Sequence, residues 1–182
     1  MGIRTTRRWV VLAKLLKGKN PNVGAEIGIQ RGRMTMKVLN RIPSIKKYYA
    51  IDPWLWYPSY KEGVNERNQK RWNQDVMDEY FNEFKRNISS WENKVKILRM
   101  LSNQAHVHIP NGSLDFCFID GNHSYEFVKE DIQLYLPKVK KGGLLGGHDY
   151  GHVKGGVEQA VLETFNESEI ILESNKTWWK WV

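Results

Sequence analysis

The chain has 182 residues, 41% apolar content, eight Trp, eight Tyr, six Phe and a formal charge of +8. That is one domain with enough apolar material for a core, so a disordered chain is excluded; the longest apolar runs, Trp9–Ala13 and Phe116–Ile119, are far too short to cross a bilayer. A single cysteine, Cys117, excludes an internal disulfide and a cysteine zinc cluster, and the basic start lacks the apolar segment of a secretory signal, so a cytoplasmic protein is expected.

The charge is concentrated at one end. Arg4, Arg7, Arg8, Lys14, Lys17 and Lys19 stand in the first twenty residues with no acid among them. Such a run suits a nucleic acid, a phosphate-bearing or acidic small substrate, or simply a solvated helix face.

In chain order, residues 5–17 carry Trp9, Leu12, Ala13 and Leu16 at helical spacing with basic residues opposite, which predicts an amphipathic helix. Residues 18–22 break it. Residues 23–29 form a short apolar segment and predict a buried strand; 33–40 predict a helix; 48–51 predict a second strand ending at Asp52. Residues 53–74 have no period and are rich in Pro, Trp, Tyr and Asn. They predict a long loop or lid, in which Trp54, Trp56, Tyr57 and Tyr60 would overhang a pocket. Helix follows at 75–89, strand at 94–100, a short helix near 102–107 and an apolar strand at 114–119 ending at Asp120. Tyr125, Val128, Ile132, Tyr135 and Leu136 define one face of a helix that Pro137 stops. A Gly-rich strand at 142–147 ends at His148-Asp149, a helix covers 157–165, and 169–173 with 177–182 form a closing strand pair.

Alternating strands and helices predict an α/β fold, a mainly parallel sheet with helices on both faces. Ligands in such sheets bind beyond the carboxyl ends of the strands, at the point where strand order reverses. The residues there are therefore the candidates. After the first strand stands Glu26-Ile27-Gly28-Ile29-Gln30-Arg31-Gly32, where Gly28 and Gly32 permit a sharp turn or a close ligand approach. The dinucleotide pattern G-x-G-x-x-G is absent, which disfavours a nicotinamide oxidoreductase. Asp52, twenty residues after Gly32, can accept the two hydroxyls of a ribose or cap a turn. Ser102 and Asn103 follow the third strand, near an adenine edge or as an N-cap.

Asp120 and His148 are 28 residues apart, one helical crossover, so neighbouring parallel strands would bring their tips together. Asp120, His148 and Asp149 would then either bind one divalent ion such as Mg²⁺ or hydrogen-bond among themselves. His123 is available as a general base. His106, His108 and His152 are expected at the surface or in caps, and Trp178-Trp179-Lys180-Trp181 is expected to pack the last strand.

Taken together, the runs from Glu26 to Gly32, Ala50-Ile51-Asp52-Pro53-Trp54, Leu114 through Asp120-Gly121-Asn122-His123-Ser124-Tyr125 and Gly142-Gly143 to Gly147-His148-Asp149-Tyr150 resemble the class I S-adenosylmethionine-dependent methyltransferases, of the type called methyltransferase family 24. The resemblance covers roughly residues 20–182. It implies a Rossmann-like, three-layered, doubly wound sheet with an antiparallel last strand. It implies S-adenosyl-L-methionine as cofactor, with Glu26, Gly28 and Gly32 around its methionine part, Asp52 on the ribose, Ser102 and Asn103 near the adenine, and Asp120 as a further binding residue. Macrolide-sugar O-methyltransferases are similar at the fourth and fifth strand ends, where acids bind Mg²⁺ and a His serves as base. Asp120, Asp149 and His123 match those positions, and His148 departs from them by replacing an acid. The implied activity is O-methylation of a sugar-like, acidic or other small hydroxylated molecule, with residues 1–20 covering the pocket of the domain formed by 21–182. A nucleic-acid methyltransferase and a non-catalytic Rossmann-like binding module are the alternatives. Oligomeric state is not legible.

Overall fold

The computed structural model describes residues 7–56, 73–152, 156–173 and 175–182. Seven strands pair among them: β1 (Val23–Ile27), β2 (Lys47–Ile51), β3 (Val95–Leu98), β4 (Leu114–Ile119), β5 (Val139–Gly147), β6 (Ile170–Glu173) and β7 (Thr177–Trp181). Their order is β3-β2-β1-β4-β5-β7-β6. The pairings among β1 to β5 are parallel, whereas β7 runs antiparallel between β5 and β6. This is the expected Rossmann-like sheet with its antiparallel closing strand. The chain winds outward one way through β1, β2 and β3, then returns to place β4 on the other side of β1. The strand order therefore reverses between β1 and β4.

Side-chain alternation explains why both faces are covered. Ala25, Ile27, Cys117, Ile119, Leu145 and Trp178 face one way and pack with α5 (Tyr125–Tyr135) and α6 (Val157–Thr164). Tyr48, Phe116, Phe118, Leu144 and Trp179 face the other way, against α1 (Arg8–Leu15) and α2 (Arg33–Arg41). Trp178 and Trp179 are each fully buried, one per face, so the closing strand anchors both layers as expected. A third cluster joins Ile29, Ala50 and Trp54 to Met77 and Phe84 of α3 (Gln74–Asn87), whose N-cap Asn73 accepts from the Val76 N–H. A short α4 (Ser102–Ala105) follows β3.

Several boundaries move, those of β1 and β5 among them. β1 stops at Ile27 rather than residue 29, because Gly28 turns the chain at φ +84°. β5 begins at Val139, earlier than residue 142, with an irregular register where β4 passes Leu114 to Phe116. Most of the expected lid, residues 57–72 with Tyr57 and Tyr60, and residues 1–6 of the basic segment lie outside the described residues. Trp54, expected to overhang the pocket, is instead buried. Its indole N–H donates to the Gln30 carbonyl at 2.8 Å and its ring stacks on Phe84, which is worth more to an apolar ring than exposure. Among the described residues, no helix is long and apolar enough to cross a membrane.

Candidate active site

Strand register assembles the site. Ile51, Ile27 and Ile119 are level across β2, β1 and β4, and Ile119 is level with Gly147 of β5. One residue further, Asp52, Gly28, Asp120 and His148 therefore stand in a row along the carboxyl edge, at the switch point. Gly28 is obligatory there: a Cβ would lie 2.1 Å from the Asp120 carbonyl oxygen, and φ is +84°.

On the β2 side of this row is a cleft whose empty space, open mouth included, is about 540 Å³. Gly28, Asp52, Ser102, Asn103, Phe127 and Asp131 are among its lining residues. Asp52 holds the turn together. Its Oδ2 accepts from the Ile29 and Gln30 N–H groups, each at 2.9 Å, and its Oδ1 from the Trp54 N–H at 2.7 Å. Gln30 and Trp54 have φ of 53° and 42°, so the carboxylate fixes two left-handed residues. Three of roughly four acceptor positions are thus engaged, which leaves Oδ1 one lone pair for a ligand hydroxyl rather than two. Burial raises the Asp52 carboxyl above its ordinary range, and the three backbone donors pull it back. Ser102 and Asn103 are at the cleft, as their place after β3 predicts; the Tyr135 hydroxyl donates to the Ser102 carbonyl at 2.8 Å.

Glu26 and Gly32 are not among the cleft-lining residues. Gly32 caps α2 in the left-handed region, where a Cβ would meet Phe84 at 2.4 Å. Glu26 is 1% exposed and faces the α2 layer, where its Oε2 accepts from the Thr35 and Tyr48 hydroxyls at 2.7 Å each. Burial pushes its carboxyl up to about 7 against those two hydrogen bonds. The unfolded chain ionises this group near 4.5 while the folded one holds its proton to about 7. Stability is therefore greatest below that lower value and is lost as pH rises through the window. Glu26→Gln is expected to remove this loss, so that between pH 5 and 8 the variant gains on wild type by at most about 3 kcal/mol. Urea denaturation at both pH values measures it, and a difference independent of pH contradicts it.

Phe127 and Asp131 are among the cleft residues that the sequence reading does not single out. Phe127 is 41% exposed at the rim and lies off the apolar face of α5. Asp131 lies within that face, is 3% exposed, and its Oδ1 has no hydrogen-bond partner. Burial pushes its carboxyl up to about 7. An apolar side chain off a helix's apolar face and an acid on it are both visible in sequence.

On the β5 side, Asp120, His148, Asp149 and His123 come together. His148 Nδ1 is 3.1 Å from Asp149 Oδ2 and 3.7 Å from Asp120 Oδ1; His123 Nε2 is 3.4 Å from the same Asp149 oxygen. Asp149 takes a left-handed φ of 61°, tolerated by Asp, which turns its carboxylate back between the imidazoles. The His123 carbonyl accepts from the Gly156 N–H at 2.9 Å, fixing this loop to the start of α6. His148 holds the Asp149 carboxyl down at about 2. Partial burial lowers His123 despite the pull of Asp149, so its imidazole is neutral at neutral pH. Burial pushes Asp120 up to about 6. Arg8, at the start of α1, places Nη1 2.7 Å from Asp120 Oδ2. One ligand atom from each of Asp120, His148 and Asp149 lies within 4.8 Å of the others. His106, His108 and His152 are outside this group; His108 and His152 are exposed.

The family model described as "Methyltransferase domain", of the family-24 type, matches residues 25–150. That span contains the whole row of strand ends and most of the sheet. The chain belongs to this family, within the class I S-adenosylmethionine-dependent methyltransferases. Among solved structures, the O-methyltransferase NovP superposes with a TM-score of 0.69 at 19% identity, covering 95% of this chain and 77% of that one. TomG of Streptomyces achromogenes, in complex with S-adenosylmethionine, gives 0.62 at 12% identity, with 96% and 79% covered. An O-methyltransferase of Bacillus cereus, in complex with S-adenosylhomocysteine, gives 0.62 at 12% identity, with 100% and 84% covered. These similarities are of fold. A 42-residue stretch is 48% identical to the uncharacterized protein R132 of Acanthamoeba polyphaga mimivirus, spanning 23% of this chain and 19% of that protein.

Proposed function

We propose that the chain transfers a methyl group from S-adenosylmethionine to a hydroxyl of a small, sugar-like acceptor, with His123 as the base. The observation that carries this is the neutral imidazole of His123 held against Asp149, beside the strand-end cleft at Gly28 and Asp52. The cleft residues suit the cofactor. Phe127 offers an aromatic face for adenine stacking, the partnerless Oδ1 of Asp131 suits an amine donor nearby, and Asp52 retains one acceptor position for a ribose hydroxyl.

The cofactor supplies a methyl carbon on a positively charged sulfur, already electrophilic. With its ring proton on Nε2, facing Asp149, His123 keeps a free lone pair on Nδ1. That nitrogen takes the acceptor's proton as its oxygen bonds to the methyl carbon. When bound, S-adenosylmethionine would supply that methyl group and leave as the neutral thioether, its sulfur keeping the electron pair of the broken carbon–sulfur bond. Asp149 orients the ring and offsets its new charge. Asp120 holds the acceptor in line, and alignment supplies much of the rate.

Of the two alternatives the sequence leaves open for Asp120, His148 and Asp149, a divalent ion has the less suitable donor set. Mg²⁺ takes oxygen ligands, His148 offers nitrogen, and Arg8 already engages Asp120. No step is routed through a metal.

The test is transfer of labelled methyl from S-adenosylmethionine to a panel of hydroxylated small molecules, with RNA as the comparison acceptor. Transfer to RNA alone would overturn the acceptor class. Within this account Phe127→Ala, a rim residue, is expected to raise the S-adenosylhomocysteine Kd about tenfold while leaving the melting temperature unchanged. Calorimetry measures the first and thermal unfolding the second.

A further inference from the structure

We propose that Arg8 is the resident cation of the acidic site, so that its guanidinium and a divalent metal ion are mutually exclusive occupants of the Asp120–His148–Asp149 cluster. The inference deepens the proposed reading of this site and borrows from it only the site's importance to the reaction.

Arg8 is brought to Asp120 by packing. Trp9, Val11, Leu12 and Leu16 bury one side of the α1 segment in the core, and the Arg33 guanidinium lies over the Trp9 ring at 5.5 Å. The first residue of α1 is thereby fixed at the carboxyl edge of β4. Its Nη1 is 2.7 Å from Asp120 Oδ2, the length of a charge-assisted hydrogen bond. The contact is sheltered, with the Asp120 side chain 13% and the Arg8 side chain 28% exposed.

The cluster's chemistry explains the need for it. Asp120 and Asp149 are two carboxyls gathered on one histidine, His148 Nδ1 lying 3.7 Å from Asp120 Oδ1 and 3.1 Å from Asp149 Oδ2, and the Asp120 side chain is only 13% exposed. A sheltered pair of carboxylates is stabilised by a cation in contact with it, and Arg8 supplies that charge on a fixed stem. Counting only the two carboxylates and the guanidinium, Asp120, Asp149 and Arg8 sum to one negative charge. Without Arg8 the sum is two, and Oδ2 of Asp120 becomes free for a metal. The third position is then a histidine nitrogen, so Mn²⁺ is the appropriate probe ion.

Titration with Mn²⁺, followed by electron paramagnetic resonance and calorimetry, tests this on the full chain. Wild type and Arg8→Lys, which keeps a cation, are expected to show no saturable site. Arg8→Ala is expected to gain one Mn²⁺ site, about tenfold or more tighter than any wild-type binding, and Arg8→Ala with Asp149→Asn is expected to lose it. Circular dichroism of each variant verifies folding, and Arg8→Gln repeats the test if the alanine variant is unfolded. A wild-type Mn²⁺ site abolished by Asp149→Asn overturns the inference, and so does failure of folded Arg8→Ala or Arg8→Gln to gain one. S-adenosylhomocysteine titration of wild type in the same buffer reports on the methyltransferase reading separately, because Mn²⁺ binding needs neither cofactor nor acceptor.

Discussion

His123→Ala is expected to lower kcat for methyl transfer by about 10²–10⁴-fold, the usual worth of a positioned base, with the S-adenosylhomocysteine Kd changed by no more than about twofold. The two halves of this expectation come from separate places in the structure. His123 sits with Asp149 on the β5 side of the strand-end row, whereas the cofactor cleft lies on the β2 side, and His123 is not among the residues lining it. Its side chain is 48% exposed, so truncation removes little packing and the fold is expected to survive. Single-turnover transfer with a saturating acceptor measures the chemical step. A rate within a few-fold of wild type would remove His123 from the mechanism. Asp149→Asn is expected to give a smaller loss, since it leaves the base in place but removes the charge that orients it.

Asp52→Ala is expected to affect cofactor affinity and stability together. One charge-assisted bond to a ribose hydroxyl is worth about 1.5–3 kcal/mol, so the S-adenosylhomocysteine Kd should rise at least about tenfold. The same truncation strands the N–H groups of Ile29, Gln30 and Trp54 and releases two residues held at positive φ. Unsatisfied donors cost about 1–3 kcal/mol each when buried, so unfolding is expected to come several degrees earlier. Asp52→Asn separates the two effects. Its amide oxygen retains one or two of the backbone bonds, while its NH₂ replaces an acceptor by a donor. It is expected to recover part of the stability and little of the affinity. Wild-type affinity in a folded Asp52→Ala protein would show that this carboxylate serves only the turn.

The fold was legible because its signals are local. Apolar runs of strand length, several of them ended by Gly or a strand-end Asp, alternate with helical periods, and a mainly parallel sheet accommodates that order. The 28-residue spacing from Asp120 to His148 was enough to place them side by side, because one crossover joins adjacent parallel strands. What the sequence concealed depends on which way a side chain turns. Glu26 stands two residues before Gly28, yet alternation points it into the α2 layer, onto Thr35 and Tyr48. Trp54 follows the strand-end Asp52 closely, yet the left-handed turn folds it beneath α3. Arg8 could not be separated from the other basic residues of its segment, since its partner lies 112 positions away and the contact exists only once α1 has packed.

The most direct test of the central claim is calorimetric titration of wild type with S-adenosylhomocysteine, with NADH as the comparison ligand. The account predicts saturable one-to-one binding of the homocysteine ligand, weakened by Phe127→Ala and by Asp52→Asn, and no comparable binding of NADH. Absence of that binding, or a preference for NADH, would contradict it.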